Sequence, residues 1–345
     1  MNWSRYIRRL LGMAAAMAGA LYAFILVLDP YQNVPFSPSL ERAPVATNQR
    51  FSFPAIARDP AFDALVIGTS TSRLLDPLSL GGLTSADFAN LAMNSATAYE
   101  QQRIHALFVR HHPELRYLVL GVDEAWCTRA AEQDQYTFRA FPEWMYDDNP
   151  WNDLIYLFND KALEQAVRML ELVLGWREPK YRRDGYRDFT ADFGAYDPAA
   201  VAHRLYQRPA RGTPEAAVWP ARAREEWHYP LLDDLAALLA RTPRDTRVVL
   251  FFPPLHAHYI ERQAETFAEC KGRVLDLAAD RGGVAILDYL YVSPLTLDDG
   301  NYWDPLHFTR AVSQEIETDA AAALTGRQPE SAHVRYYPRA QQPES

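Results

Sequence analysis

The chain reads as an α/β protein: a mostly parallel sheet covered by helices on both faces, a three-layer α/β/α sandwich, with an N-terminal transmembrane helix and an aromatic-rich insertion added to it. Three observations predict this. Short apolar runs in "FDALVIG", "DFANLAM", "LRYLVLGV", "TRVVLFFPP" and "GGVAILDY" have the length and content of strands buried on both faces. Helical patterns such as "YEQQRIHALFVRHH" and "IERQAETFAECKGRVLDLAADR" lie between several of them, and strands that alternate with helices pair in parallel. Finally, an uncharged run at residues 10–28 is long enough to cross a bilayer's hydrocarbon core as a helix.

Taken in order, residues 1–29 form a basic tip and a span. Arg5, Arg8 and Arg9 precede the apolar run and mark the cytoplasmic side. The run continues past any A-x-A-like site to "LDPYQ", which favours a retained signal-anchor over a cleaved signal peptide. A buried soluble helix would show a polar outer face, and none is marked. Residues 30–60, rich in Pro, Ser, Asn and Arg without apolar period, read as a stalk or wrapping segment. The α/β domain then occupies 61–326. Its alternation is interrupted by an insertion at about 128–233, dense in Trp, Tyr and Phe and holding the helix candidate "KALEQAVRMLELVLGW". Those aromatics either line a sugar or acyl groove or form a small local core. Residues 327–345 read as a disordered tail.

Composition narrows the function. With 48% hydrophobic and 23% charged residues among 345, the chain can bury a full core. A net charge of -9 without a Lys/Arg-rich block excludes nucleic acid as the main partner. Cys127 and Cys270 either form one disulfide in an oxidising compartment or remain two core thiols. Neither a phosphate-cradling loop nor a dinucleotide glycine pattern is present, so no cofactor is implied.

The chemistry-bearing residues lie at both ends of the domain. "ALVIGTSTSR" ends a strand in Gly68-Thr69-Ser70 and puts Ser70 just beyond the strand's carboxyl end, the edge where ligand chemistry gathers in open α/β sheets. Gly68 allows the sharp turn, and backbone N–H groups after it favour negative charge. Ser72 competes as nucleophile but sits further into the turn. In "NYWDPLHFTRAVSQEI", Asp304 and His307 stand two residues apart, so a carboxylate can hold one imidazole nitrogen while the other faces a serine. Thr309 is a candidate N-cap for the last helix. Arg73 could bind an anionic substrate or cap a loop. In "PPLHAHY", His256 and His258 follow a strand on the edge of Ser70; without an acidic or thiol ligand nearby, substrate contact by His256 is expected there rather than a metal. His111 and His112 end a helix, where cations suit the dipole.

These blocks resemble the SGNH/GDSL-type hydrolases and acyltransferases, and among them the membrane-anchored extracytoplasmic DltD-like and AlgJ/AlgX-like proteins. The resemblance covers about 62–324, the insertion excepted, and implies an SGNH (flavodoxin-like) fold. Gly68-Thr69-Ser70 matches the first block and implies Ser70 as nucleophile. Asp304-Pro305-Leu306-His307 matches the last and implies His307 as base and Asp304 as its orienter. In "NLAMNSATAYEQ", Ser95, with Asn94 beside it, falls near the glycine whose N–H serves the oxyanion. The third block departs: Gly121-Val122-Asp123-Glu124 stands where the family carries Gly-x-Asn-Asp, so Asp123 replaces an amide donor. An ionised Asp123 aimed at an oxyanion would repel it. Asp123 is therefore expected to be protonated, turned toward another partner, or used in a different step. The resemblance implies an inner-membrane protein with a periplasmic enzyme domain that moves an acyl group, most simply acetyl, onto or off a cell-envelope polysaccharide or glycan. An acyl-transporting membrane protein is a further candidate partner. The contrasting expectation is an inactive scaffold that binds glycan or partner proteins through the aromatic insertion.

Overall fold

The computed structural model describes residues 3–37, 43–129, 134–207 and 227–339. They fall into two compact units, Met1–Ile56 with Phe141–Gly185, and Ala57–Ala140 with Tyr186–Ser345.

The larger unit is the α/β domain. Its strands β1 (Ala64–Ile67), β2 (Phe88–Asn90), β3 (Tyr117–Gly121), β4 (Arg247–Phe252), β5 (Val284–Asp288) and β6 (Arg335–Tyr337) form one sheet in the order β2-β1-β3-β4-β5-β6. All neighbours run parallel except β6, which pairs antiparallel with β5. Register carries Ile67 beside Leu120 and Leu120 beside Leu250. One side of the strands, including Val66, Val119, Val249 and Leu287, packs with Leu80 of α3 (Pro77–Thr84) and Val312, Ile316 and Ala320 of α10 (Arg310–Thr325). The intervening Leu65, Leu118, Leu250 and Ile286 are buried as well. Alternate side chains leave on opposite faces, so burial of both explains why these strands read as unbroken apolar runs. Helix α7 (Leu231–Arg241) packs on both α4 (Ala98–His111) and α8 (Ala257–Arg281), and α8 also packs on β5 and on the short α9 (Pro294–Leu297). Thr97 and Glu100 form a reciprocal capping box that fixes the start of α4.

The smaller unit holds α1 (Trp3–Leu28), α2 (Gln49–Ala57, its last residue counted with the larger unit), α5 (Asp160–Val173) and two 3-10 turns, Glu143–Tyr146 and Asn152–Leu157. Helix α1 is the single described helix long and apolar enough to cross a membrane, which fits an anchor and equally a signal sequence. Asp29 ends it: its carboxylate accepts the Asn33 N–H at 2.9 Å, the Val34 N–H at 3.1 Å and the Ser37 hydroxyl at 2.6 Å.

Three segments differ from the sequence expectation. Residues 30–60 are not all stalk, since α2 forms within them. The stretch 128–233 is not one insertion: 141–185 belongs to the smaller unit, while α6 (Pro198–Tyr206) and the start of α7 belong to the larger. Nor is 327–345 a tail throughout, because "RYY" supplies β6, a basic strand closing the sheet's edge. Charge on an edge strand discourages further pairing.

Cys127, in the loop after β3, forms a disulfide with Cys270 of α8, their Cα atoms 5.5 Å apart. The bond closes a loop of 143 residues, a length for which chain entropy predicts about 5 kcal/mol of stabilisation. The double substitution Cys127→Ala and Cys270→Ala should lower the unfolding free energy by about 2–5 kcal/mol in denaturant titrations, and the native chain should present no reactive thiol.

Candidate active site

The Ser70 turn is built by the packing of its neighbours. Gly68 follows β1 with φ +145°, and a Cβ there would lie 2.1 Å from Ser72 Oγ. A Cβ at Gly121, at the end of β3, would lie 2.0 Å from the same atom. Ser72 thus fills the space that two glycines leave, and its buried hydroxyl has no hydrogen-bond partner among the described residues. Asn90, at the end of β2, donates through Nδ2 to the Ser72 carbonyl at 3.0 Å and the Leu75 carbonyl at 2.8 Å. This arrangement sinks Ser72 and leaves Ser70 half-exposed on the turn, which decides between the two serines.

The Ser70 hydroxyl donates to His307 Nε2 at 2.8 Å, and His307 Nδ1 donates to Asp304 Oδ2 at 2.7 Å. The other Asp304 oxygen accepts the Leu306 N–H at 2.8 Å and the His307 N–H at 2.9 Å. Burial alone would raise the Asp304 carboxyl, but the hydrogen bond and charge of His307 and the two N–H groups together outweigh it, and the carboxyl sits below its ordinary value. A carboxylate kept ionised in this way fixes the imidazole tautomer with Nε2 free to take the serine proton. The loop is held from outside too. The Trp303 N–H donates to the His307 carbonyl at 2.8 Å, and Arg204 of α6 donates to the Trp303 carbonyl at 2.7 Å. Phe189 meets the His307 ring edge-to-face, centroids 5.2 Å apart.

A cavity of about 520 Å³ opens at Ser70 and is lined by Ser95, Asp123, Tyr136, Leu255 and Leu306 among others. Ser95 has φ +52°, the left-handed region that a glycine adopts without cost and a serine does not. Among the described residues, neither the Ser70 nor the Ser95 backbone N–H donates to a protein acceptor. Two unspent donors beside a hydroxyl poised on an imidazole are what an oxyanion requires.

Asp123 lines the same cavity, turned toward other partners. Its Oδ2 accepts from the Thr69 hydroxyl and, at 3.5 Å, from the Thr71 hydroxyl, and its Oδ1 accepts the Ala125 N–H at 3.0 Å. Burial pushes its carboxyl from 3.8 up to about 6, against these hydrogen bonds and with some help from Glu124.

Arg73, Asn94 and His256 do not line the cavity. Arg73 is buried; it donates to Asn94 Oδ1 at 2.5 Å and lies 4.6 Å over the Phe189 ring. Arg73 thus links Asn94, in the loop after β2, to Phe189. His256 is buried as well: its Nε2 donates to Asp299 at 3.0 Å and its Nδ1 accepts the His258 N–H at 3.3 Å. Desolvation lowers its pKa in spite of Asp299. Its own N–H donates to the Pro305 carbonyl at 3.0 Å, so it braces the Asp304–His307 loop. Sequence reasoning missed Asn90, Thr69, Thr71 and Phe189. The position of Asn90 at a strand end was a visible signal; the others depend on tertiary packing.

No known protein-family model and no curated protein matches the chain.

The Asp123 shift has a consequence for stability. Below about pH 3 the carboxyl is protonated whether folded or not and costs nothing, whereas ionising it in the fold, with a pKa of about 6 against 3.8, costs about 3 kcal/mol by pH 7. The difference in unfolding free energy between Asp123→Asn and the native chain should therefore grow in favour of the variant by about 3 kcal/mol between pH 3 and pH 7. A difference independent of pH would contradict this ionisation.

Proposed function

We propose that the chain is an SGNH-type serine acyltransferase or esterase acting on O-acyl groups, most simply acetyl, of a cell-envelope polysaccharide or glycan. The observation that carries this reading is the unbroken hydrogen-bond chain from Ser70 Oγ through His307 to Asp304. In the proposed reaction, Ser70 Oγ attacks the ester carbonyl carbon as its proton passes to His307 Nε2. The N–H groups of Ser70 and Ser95 take the developing oxyanion. Collapse expels the alcohol, which leaves with the proton held by His307. The acyl-serine is then resolved by a sugar hydroxyl or by water, deprotonated by the same imidazole. Free N–H groups at both positions make up for the amide donor that Asp123 replaces.

The same proposal takes the architecture as a three-layer sandwich, with α3 and α10 on one face and α4, α7 and α8 on the other. It takes α1 as a retained anchor with the enzyme domain on the periplasmic side. Support comes from Arg5, Arg8 and Arg9 before the span, and from a disulfide suited to an oxidising compartment. Contacts within the smaller unit also tie α1 to later residues, as in the Tyr22 hydroxyl donating to the Leu154 carbonyl at 2.7 Å. A removed signal would forfeit them.

Treatment of the detergent-solubilised full chain with a fluorophosphonate probe should label Ser70. The label should be lost in Ser70→Ala and His307→Ala, slowed about 100-fold or more in Asp304→Asn, and kept in Ser72→Ala. Folded protein that reacts neither with the probe nor with a small acetyl ester would overturn the enzyme reading and favour the scaffold.

A further inference from the structure

The smaller unit carries apolar surface that its own fold does not bury. Outside α1, Trp151, Ile155, Phe158 and Trp176 are 62%, 76%, 60% and 76% exposed, and Val167 and Val173 of α5 are exposed as well. Large apolar groups left exposed this often within one short stretch, residues 151–176, mark an interaction site. Their attachment to α1 says of what kind. Tyr22 of α1 donates to the Leu154 carbonyl at 2.7 Å and meets Phe158 edge-to-face at 5.4 Å, and α5 packs along α1.

Depth along α1 can be gauged. Its 26 residues span about 39 Å, against about 30 Å of hydrocarbon. With the arginines in one headgroup layer, the far hydrocarbon edge falls near Asp29. Tyr22 lies about 10 Å short of that edge at about 1.5 Å per residue. The turn that contacts Tyr22 is thus held at the depth where interfacial segments bury their apolar side chains, about 5–10 Å into the headgroup and acyl boundary. Its composition fits that layer and not the hydrocarbon centre: Trp151, Tyr156 and Trp176 stand in the same stretch as the exposed Asn152, Asp160, Lys161 and Glu164, of which Lys161 and Glu164 pair.

We propose that the face formed by the Asn152–Leu157 turn, Phe158, α5 and Trp176 is a lipid-binding surface, seated in the leaflet from which α1 emerges. This rests on the reading of α1 as a retained anchor. The unit then grips the bilayer as an interfacial foot beside the span, and α1 is not a bare tether.

The test places single cysteines at Ile155, Phe158 and Trp176 in the full chain, the native pair staying in its disulfide. Each is spin-labelled in nanodiscs of phosphatidylethanolamine and phosphatidylglycerol. Collisions with oxygen and with a water-soluble nickel chelate are compared by power saturation, with Met17→Cys on α1 as the lipid standard and labelled glutathione as the aqueous one. The proposal predicts an oxygen-to-nickel ratio several-fold above the aqueous standard at all three sites. Aqueous ratios at the three sites with a lipid-like Met17 overturn the surface and leave the anchor intact. An aqueous Met17 overturns the anchor, and the surface with it. Shielding of the three sites from both reagents reveals a protein partner or second copy on this face, and overturns the lipid assignment.

Discussion

Ser70 stands where it does because two backbones approach where no Cβ is present. Gly68 and Gly121 lie at the ends of adjacent parallel strands, and the side chain of Ser72 fits into the gap between them. With Ser72 drawn under the sheet's edge, the preceding residues must arch outward, and Asn90 fastens the far side of the arch to the end of β2. The unpaired Ser72 hydroxyl is the cost of this arrangement, since a buried polar atom without a partner destabilises the fold. Because β1, β2, β3 and β4 run the same way, the loops bearing Ser70, Ser95, Asp123 and Leu255 leave from one edge. A parallel sheet converts four segments distant in sequence into one cavity.

Two carboxyl groups serve this site in opposite electrostatic settings. Asp304 gains His307 and two backbone donors, and these outweigh its desolvation and keep it charged. Asp123 is more deeply buried and has hydroxyls for partners, so desolvation prevails and its ionisation moves to about pH 6. The first setting fixes an imidazole; the second makes ionisation of a carboxyl beside the cavity cost stability. Asp123 also ties Thr69 and Thr71 to the loop after β3 and so helps hold the Ser70 turn.

The sheet was legible from local pattern because β1 to β5 are buried on both faces and apolar but for Asn90, Arg247 and Asp288 at strand ends. β6 was not, since "RYY" is three residues long and basic and gains its structure from pairing with β5. Ser70, His307 and Asp304 were legible from motif order and the family resemblance. The packing of Arg73, Asn94 and His256 was not, because residue type and position in sequence carry no record of which distant side chain each one meets. Only packing shows Arg73 against Phe189 and His256 against Asp299. The grouping of 141–185 with the N-terminal residues likewise joins distant segments, and no local signal carries it.

The proposed function requires Ser70 to be an activated nucleophile able to hold an acyl group. The most direct measurement is the intact mass and peptide map of the full chain quenched in acid after brief exposure to p-nitrophenyl acetate. An acetyl group on the peptide bearing Ser70, absent in His307→Ala, is the predicted result. Acetylation that falls elsewhere, or that persists at Ser70 without His307, would contradict the account.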